Sequence, residues 1–103
     1  MVKVDFSESP NKDKKLMAVF TFDDGKTKTT HFGAKGYMDF TLYNKRDGKE
    51  KANMKKKAYL DRHKVNEDWN DYTSAGSLSR WILWNKPTVK ASMSDYKKRF
   101  NLS

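Results

Sequence analysis

His31, Asp39, His63 and Glu67 are the side chains of this sequence best suited to acid–base or metal chemistry. Converging in one pocket, they would make a hydrolase or nuclease site, with carboxylates completing what two histidines cannot hold alone. Their spacing matches no ligand motif. His31, between Thr30 and Phe32, reads more simply as a hydrogen-bonded structural residue, and His63 follows Arg62 near the end of a lysine-rich helix. Asp68 and Asp71 bracket Trp69-Asn70, but acids just ahead of a helix N-terminus are ordinary capping and dipole chemistry. No nucleophile motif such as GxSxG is present. Gly33-Ala34-Lys35-Gly36 could form a backbone nest for a phosphate. The GxxxxGK[ST] spacing is absent, and a loop leading from sheet to helices is the simpler reading. With no cysteine, disulfides and thiolate metal sites are excluded. The expectation is a non-enzyme with no metal and no cofactor.

Positive charge is the stronger signal. The formal net charge is +9, and it sits in two blocks. Residues 45–64 carry nine Lys/Arg against three acids and residues 86–99 five against one, while residues 1–44 sum to +1 and residues 65–85 to −2. Such clustering is the footprint of a polyanion binder, and also the look of a solvated lysine-rich helix. Lysine outnumbers arginine 18 to 4, which favours point-charge contact with phosphates over bidentate reading of guanine. The residues expected to contact nucleic acid are Lys35, Lys45, Arg46, Lys55, Lys56, Lys57, Arg62, Lys97 and Lys98. Binding would rest on counterion release, with little sequence preference. It requires Lys55, Lys56, Lys57, Arg62, Lys97 and Lys98 to share one face. The competing expectation is a minor structural protein acting through protein–protein contacts, with aromatics of 37–43 or Trp84 exposed as anchors.

The elements that must position these residues follow from periodicity. Val2, Val4 and Phe6 alternate with Lys3 and Asp5 as a short strand. Leu16–Phe22 is apolar on both faces, Asp24-Gly25 reads as a two-residue hairpin turn, and Lys26–Phe32 returns as a third strand. Tyr37–Tyr43 suggests a helical turn packing Tyr37 and Phe40 on the sheet, followed by a charged turn at Lys45–Gly48. Lys49–Lys64 reads as a helix with a narrow apolar face of Ala52, Met54, Ala58, Tyr59 and Leu60. The aromatic stretch Trp69–Pro87 holds all three tryptophans. In it, Thr73 or Ser74 caps a short helix burying Leu78, Trp81 and Ile82, with Trp81 neighbour Arg80 a candidate docking group, and Pro87 stops it. Thr88 caps a last helix whose Val89, Met93, Tyr96 and Phe100 form one stripe. The helix dipole accounts for part of the cationic cluster Lys97-Lys98-Arg99 at its end. The fold expected is α+β: one domain over 1–103, with a three-stranded antiparallel sheet (2–32) followed by about three helices (37–100). The core should be small and aromatic-rich, since hydrophobic content is 36% and aromatics are 14%. MVKVDFSESP lacks the apolar run of a signal peptide, and nothing approaches a membrane span, so a soluble intracellular or virion-type protein without a membrane partner is expected.

The blocks HFGAKGYMDFT (31–41), YLDRHKVNEDWND (59–71) and TSAGSLSRWILWNKPT (73–88) resemble a small, poorly characterised family of large nucleocytoplasmic DNA viruses, the mimivirus-like and algal-virus groups. The resemblance spans roughly residues 16–100. Tyr72 departs from the pattern, where a smaller residue such as proline is expected, and the basic stretch 44–57 is longer and richer in lysine. The resemblance implies a viral setting, in the virion or the interior of the infected host cell. Viral proteins are possible partners there, and nucleic acid is expected as DNA ahead of RNA. It carries no activity and no catalytic residue.

Overall fold

The computed structural model describes residues 1–103. Strands β1 (Lys3–Glu8), β2 (Lys14–Thr21) and β3 (Thr27–Ala34) form an antiparallel sheet in the order β1-β2-β3. Register pairs Val4 with Phe20, Phe6 with Ala18, and Leu16 with Phe32. Because side chains alternate across a strand, this places Val4, Phe6, Leu16, Ala18, Phe20 and Phe32 on one face. Val4, Ala18, Phe20 and Phe32 are buried there, and Met17, Val19 and His31 lie half-buried on the other face. The hairpin between β2 and β3 differs from the two-residue turn expected. Phe22 N–H donates to Lys26 O and Gly25 N–H to Phe22 O, both at 2.9 Å, and only Gly25 (φ +85°) is left-handed. It is a three-residue loop closed by a left-handed glycine, while Asp24 Oδ1 takes the Lys26 amide.

Four helices follow. Helix α1 (Phe40–Asp47) takes in Lys45–Asp47, expected in a turn, because Asp39 caps it by accepting the Leu42 amide and the chain does not break until Gly48. Phe40 is buried, but Tyr37 precedes the helix and is exposed rather than packed on the sheet. Helix α2 (Lys49–His63) turns in Ala52 and Tyr59, with Lys56, Leu60 and His63 half-buried beside them, at i, i+4, i+7, i+8 and i+11. Met54 and Ala58, expected on that face, point to solvent.

Helix α3 (Ala75–Leu78) starts at Ser74, whose hydroxyl accepts from the Ser77 amide, and runs into a π-turn over Ser79–Leu83. Trp84 N–H reaches Ser79 O, an i→i+5 bond that widens the turn. Ile82, Leu83, Trp84 and Asn85 are all buried. Four consecutive buried residues do not fit one face of an α-helix at 100° per residue; the widened turn and the exit at Asn85 thread them through the centre of the core. Helix α4 (Val89–Arg99) is capped by Thr88, which accepts from the Ala91 amide, and it lays the expected stripe on the sheet. Tyr96 is fully buried edge-on to Phe6, and its hydroxyl donates to Tyr72 O at 2.6 Å. Tyr72, the residue departing from the resemblance, packs edge-on to Phe20 and tilted against Phe100. The buried side chains of the sheet and of the π-turn each contribute about 1.5–3 kcal/mol on leaving water. They seat α3 and the π-turn on β3; α4 packs on the π-turn and α2 stacks Tyr59 on Trp84, which fixes the two basic blocks. No helix is long and apolar enough to cross a membrane.

Candidate nucleic-acid interface

Along α2, Lys51, Lys55 and Arg62 are spaced by four and seven residues, so they line one flank of the helix, and all three are exposed. None takes part in an ion pair. Lys55 Nζ and the Arg46 guanidinium both stand over the Tyr43 ring, 5.7 and 5.5 Å from its centroid. Arg46 also pairs with Asp47 at 2.8 Å, and its hydrogen bond is the chief reason the Asp47 carboxyl lies below the usual range; Lys51 and Lys55 lower it further. Tyr43 leans on Trp84, which stacks nearly parallel on Tyr59 at 4.5 Å. Of this flank, Lys55 thus stands, with Arg46 of α1, over an aromatic stack.

The second block meets the first beside Asn85. Lys56 turns inward, donating to Asn85 O at 2.9 Å with its ammonium 4.7 Å over the Phe40 ring. Burial pushes its pKa down, and the nearby charges of Arg80 and Lys86 push it further. Arg80 donates to Trp84 O at 2.7 Å and covers Trp81 (4.1 Å) and Trp69 (5.5 Å), while its Nε–H finds no acceptor within the chain. Its pKa falls through burial first and the charge of Arg99 second. Arg99 stands 3.7 Å over Trp81, so this half-buried indole has two guanidinium neighbours. Lys56, Arg80, Lys86 and Arg99 therefore form a chain of like charges joining α2 to α4.

The remaining expected residues lie elsewhere. Lys57 pairs with Asp61 at 3.1 Å along its own helix. Lys45 is exposed in the last turn of α1. Lys97 and Lys98 follow Tyr96 by about 100° and 200° around α4, whereas Arg99 returns to the side carrying Asp95 and Trp81. The face shared by the two blocks thus includes Arg80, Lys86 and Arg99 and leaves out Lys57, Lys97 and Lys98. Arg99 was legible only as part of a cluster ascribed to the dipole, and Lys86 lay in the block count without a structural cue. Lys35 is exposed after β3, where its amide donates to Asp13 O and the Tyr37 amide to Ala34 O. Two amides that a phosphate nest would need are therefore occupied. Trp84 is buried rather than exposed as an anchor.

The four acid–base residues do not assemble. His31 bonds Ser9 Oγ at 2.7 Å on the sheet, whereas Asp39, His63 and Glu67 line a cavity of about 400 Å³ between the end of the β2–β3 hairpin, α2 and α3. Nothing in the chain gathers three His, Asp or Glu side chains able to hold a metal ion. Compared with known proteins, residues 4–63, which span most of the sheet together with α1 and α2, match the model of DUF5754, a family of unknown function. No curated protein and no solved structure matches the chain.

Proposed function

Since the chain belongs to DUF5754, a family of unknown function, we propose its activity from its own surface: it binds nucleic acid through phosphate contacts, with little sequence preference. The observation that carries this reading is the junction of the two basic blocks, where Arg80 and Arg99 both stand over Trp81 and the charges of Arg80 and Lys86 reach Lys56. The unpaired flank Lys51–Lys55–Arg62 adds further exposed positive charge along α2. Phosphates are the natural counter-charge for such a surface. With the resemblance of the HFGAKGY and LWNKPT blocks, the setting proposed is a DNA virus, with DNA as the partner.

Fluorescence anisotropy of a labelled duplex of arbitrary sequence, across a salt series and beside a matched RNA, tests this. Binding at roughly micromolar or tighter should fall log-linearly with salt. In the triple variant Lys51→Ala/Lys55→Ala/Lys86→Ala the salt slope should shrink by about one unit for each phosphate the protein no longer neutralises. Lys97→Ala/Lys98→Ala should change it less. Absence of binding at low salt would overturn the proposal, and tighter binding of the RNA would overturn the choice of DNA.

A further inference from the structure

The cavity beside α2 is not required for contact with a phosphate backbone, and the state of its groups selects a ligand. Both of its carboxylates are already engaged. Asp39 accepts from Lys15 Nζ (2.7 Å) and from the Leu42 amide (3.0 Å). Glu67 is bonded to His63 Nδ1 (2.9 Å) and accepts the Trp69 indole N–H (3.0 Å). The cations Lys14 and Arg62 also line the cavity and pair with no carboxylate. With Nδ1 donating to Glu67, His63 Nε2 is left without a partner in the chain. A cation or metal ion would have to share these two carboxylates with the donors they already hold. An anion finds two cationic donors, and an imidazole nitrogen that accepts from a protonated ligand oxygen or, as imidazolium, donates to an ionised one.

Apart from Ser79 and the hydroxyls of Tyr37 and Tyr59, the rest of the lining is apolar. Phe32 and Leu83 are buried behind the polar groups, so the anionic group should carry an organic body. A volume of about 400 Å³ lies at the small end of small-molecule pockets, the scale of one nucleotide rather than a chain. Arg62 belongs to both regions: it lines the cavity and ends the Lys51–Lys55 flank.

We infer that this cavity binds a phosphate monoester borne on an organic body with apolar surface, as in a nucleoside monophosphate, with Arg62 and Lys14 on the phosphate and His63 beside it. The ligand comes either as a free nucleotide or as the phosphorylated end of a nucleic-acid strand. Only the second source rests on the surface reading proposed above. His63 is held for this role from behind, through Glu67 and the Trp69 indole.

Calorimetric titration of the full chain with thymidine monophosphate, thymidine and inorganic phosphate tests the site. The nucleotide should bind, and thymidine and phosphate should each bind about tenfold or more weakly, since each lacks half of the recognised groups. Arg62→Ala and Lys14→Ala, which truncate side chains outside the core, should each weaken the nucleotide by about tenfold. A 5′-phosphorylated oligonucleotide binding more tightly than its 5′-hydroxyl twin, with the gain abolished in Lys14→Ala, would identify a strand end. Equal binding of the two oligonucleotides, with the mononucleotide bound, would identify a free nucleotide. No mononucleotide binding and no gain from the terminal phosphate would overturn the inference even if duplex binding persists. Nucleotide binding without duplex binding would instead overturn the surface reading and leave the cavity standing.

Discussion

A methyl group added at Gly33 would lie 2.7 Å from Leu83 Cδ1, and the residue's φ of +80° is one that L side chains rarely adopt. Gly25 has nearly the same backbone, φ +85°, but nothing within 4 Å of the added atom. The two alanine variants therefore separate conformation from packing. Gly25→Ala should cost only the left-handed penalty, about 1–2 kcal/mol. Gly33→Ala should cost that plus overpacking against the π-turn, about 1–3 kcal/mol more. Urea midpoints of the two variants check this, and equal losses would mean that Leu83 yields freely. Gly33 was visible in the sequence as a break in the strand pattern, but a sequence registers the break and not the neighbour that demands it. His31 was legible as a hydrogen-bonded residue from its place between Thr30 and Phe32 on a strand. Its partner Ser9 lies across the sheet and was not.

At the scale of elements, α4 emerged from the sequence almost complete, since a capping threonine and an apolar stripe are both local signals. Helix α2 was placed correctly along the chain but with its inward face misjudged, because Lys56 and His63 are polar residues turned inward, Lys56 by Asn85 far along the chain and His63 by Glu67 just past the helix end. The π-turn left no periodic trace. What ties these elements together is Asn85, whose Nδ2 donates to Trp81 O (3.1 Å) and Asp95 Oδ2 (2.7 Å) while its carbonyl accepts from Lys56. Asn85→Ala removes one neutral hydrogen bond and one to a charge, and should cost about 2–4 kcal/mol near neutral pH. The Asn85 amide, and after it Arg99, holds the Asp95 carboxyl below its usual range. A depressed carboxylate stabilises the fold above its unfolded value of about 3.9, and that stability drains as pH falls through the lower folded value. The gap between wild type and Asn85→Ala should therefore narrow as pH falls below about 4. Chemical denaturation at neutral and acid pH reads both effects, and a gap independent of pH would show that the Asp95 bond contributes little.

At the scale of the whole molecule, the +9 charge opposes compactness at neutral pH. Alkali relieves that repulsion as the lysines lose their protons, near 10.4 for an unperturbed side chain. On charge alone the fold should gain stability there. Two core phenols act in the opposite direction. Burial, above all, raises the pKa of Tyr59 and Tyr96; Glu67 adds to the shift at Tyr59, and Tyr72 and Asp71 add to it at Tyr96. Both side chains are buried, one within the Trp84 stack and one under the sheet. For a tyrosine whose folded value is raised, the contribution to stability is complete below the unfolded value of about 10 and is lost as pH rises above it. The molecule should therefore unfold in strong alkali despite its relaxed charge. Two of its five tyrosines should become phenolate only together with that unfolding. An ultraviolet titration should rise in two phases, the later one coinciding with loss of the helical circular dichroism. Tyr96→Phe gives up the bond to Tyr72 O and is less stable at neutral pH, yet its loss of stability between pH 8 and strong alkali should be smaller than that of wild type. A single phenolate phase with an unchanged helical signal would mean that the core admits the charge, and that these two rings do not set the alkaline limit of the fold.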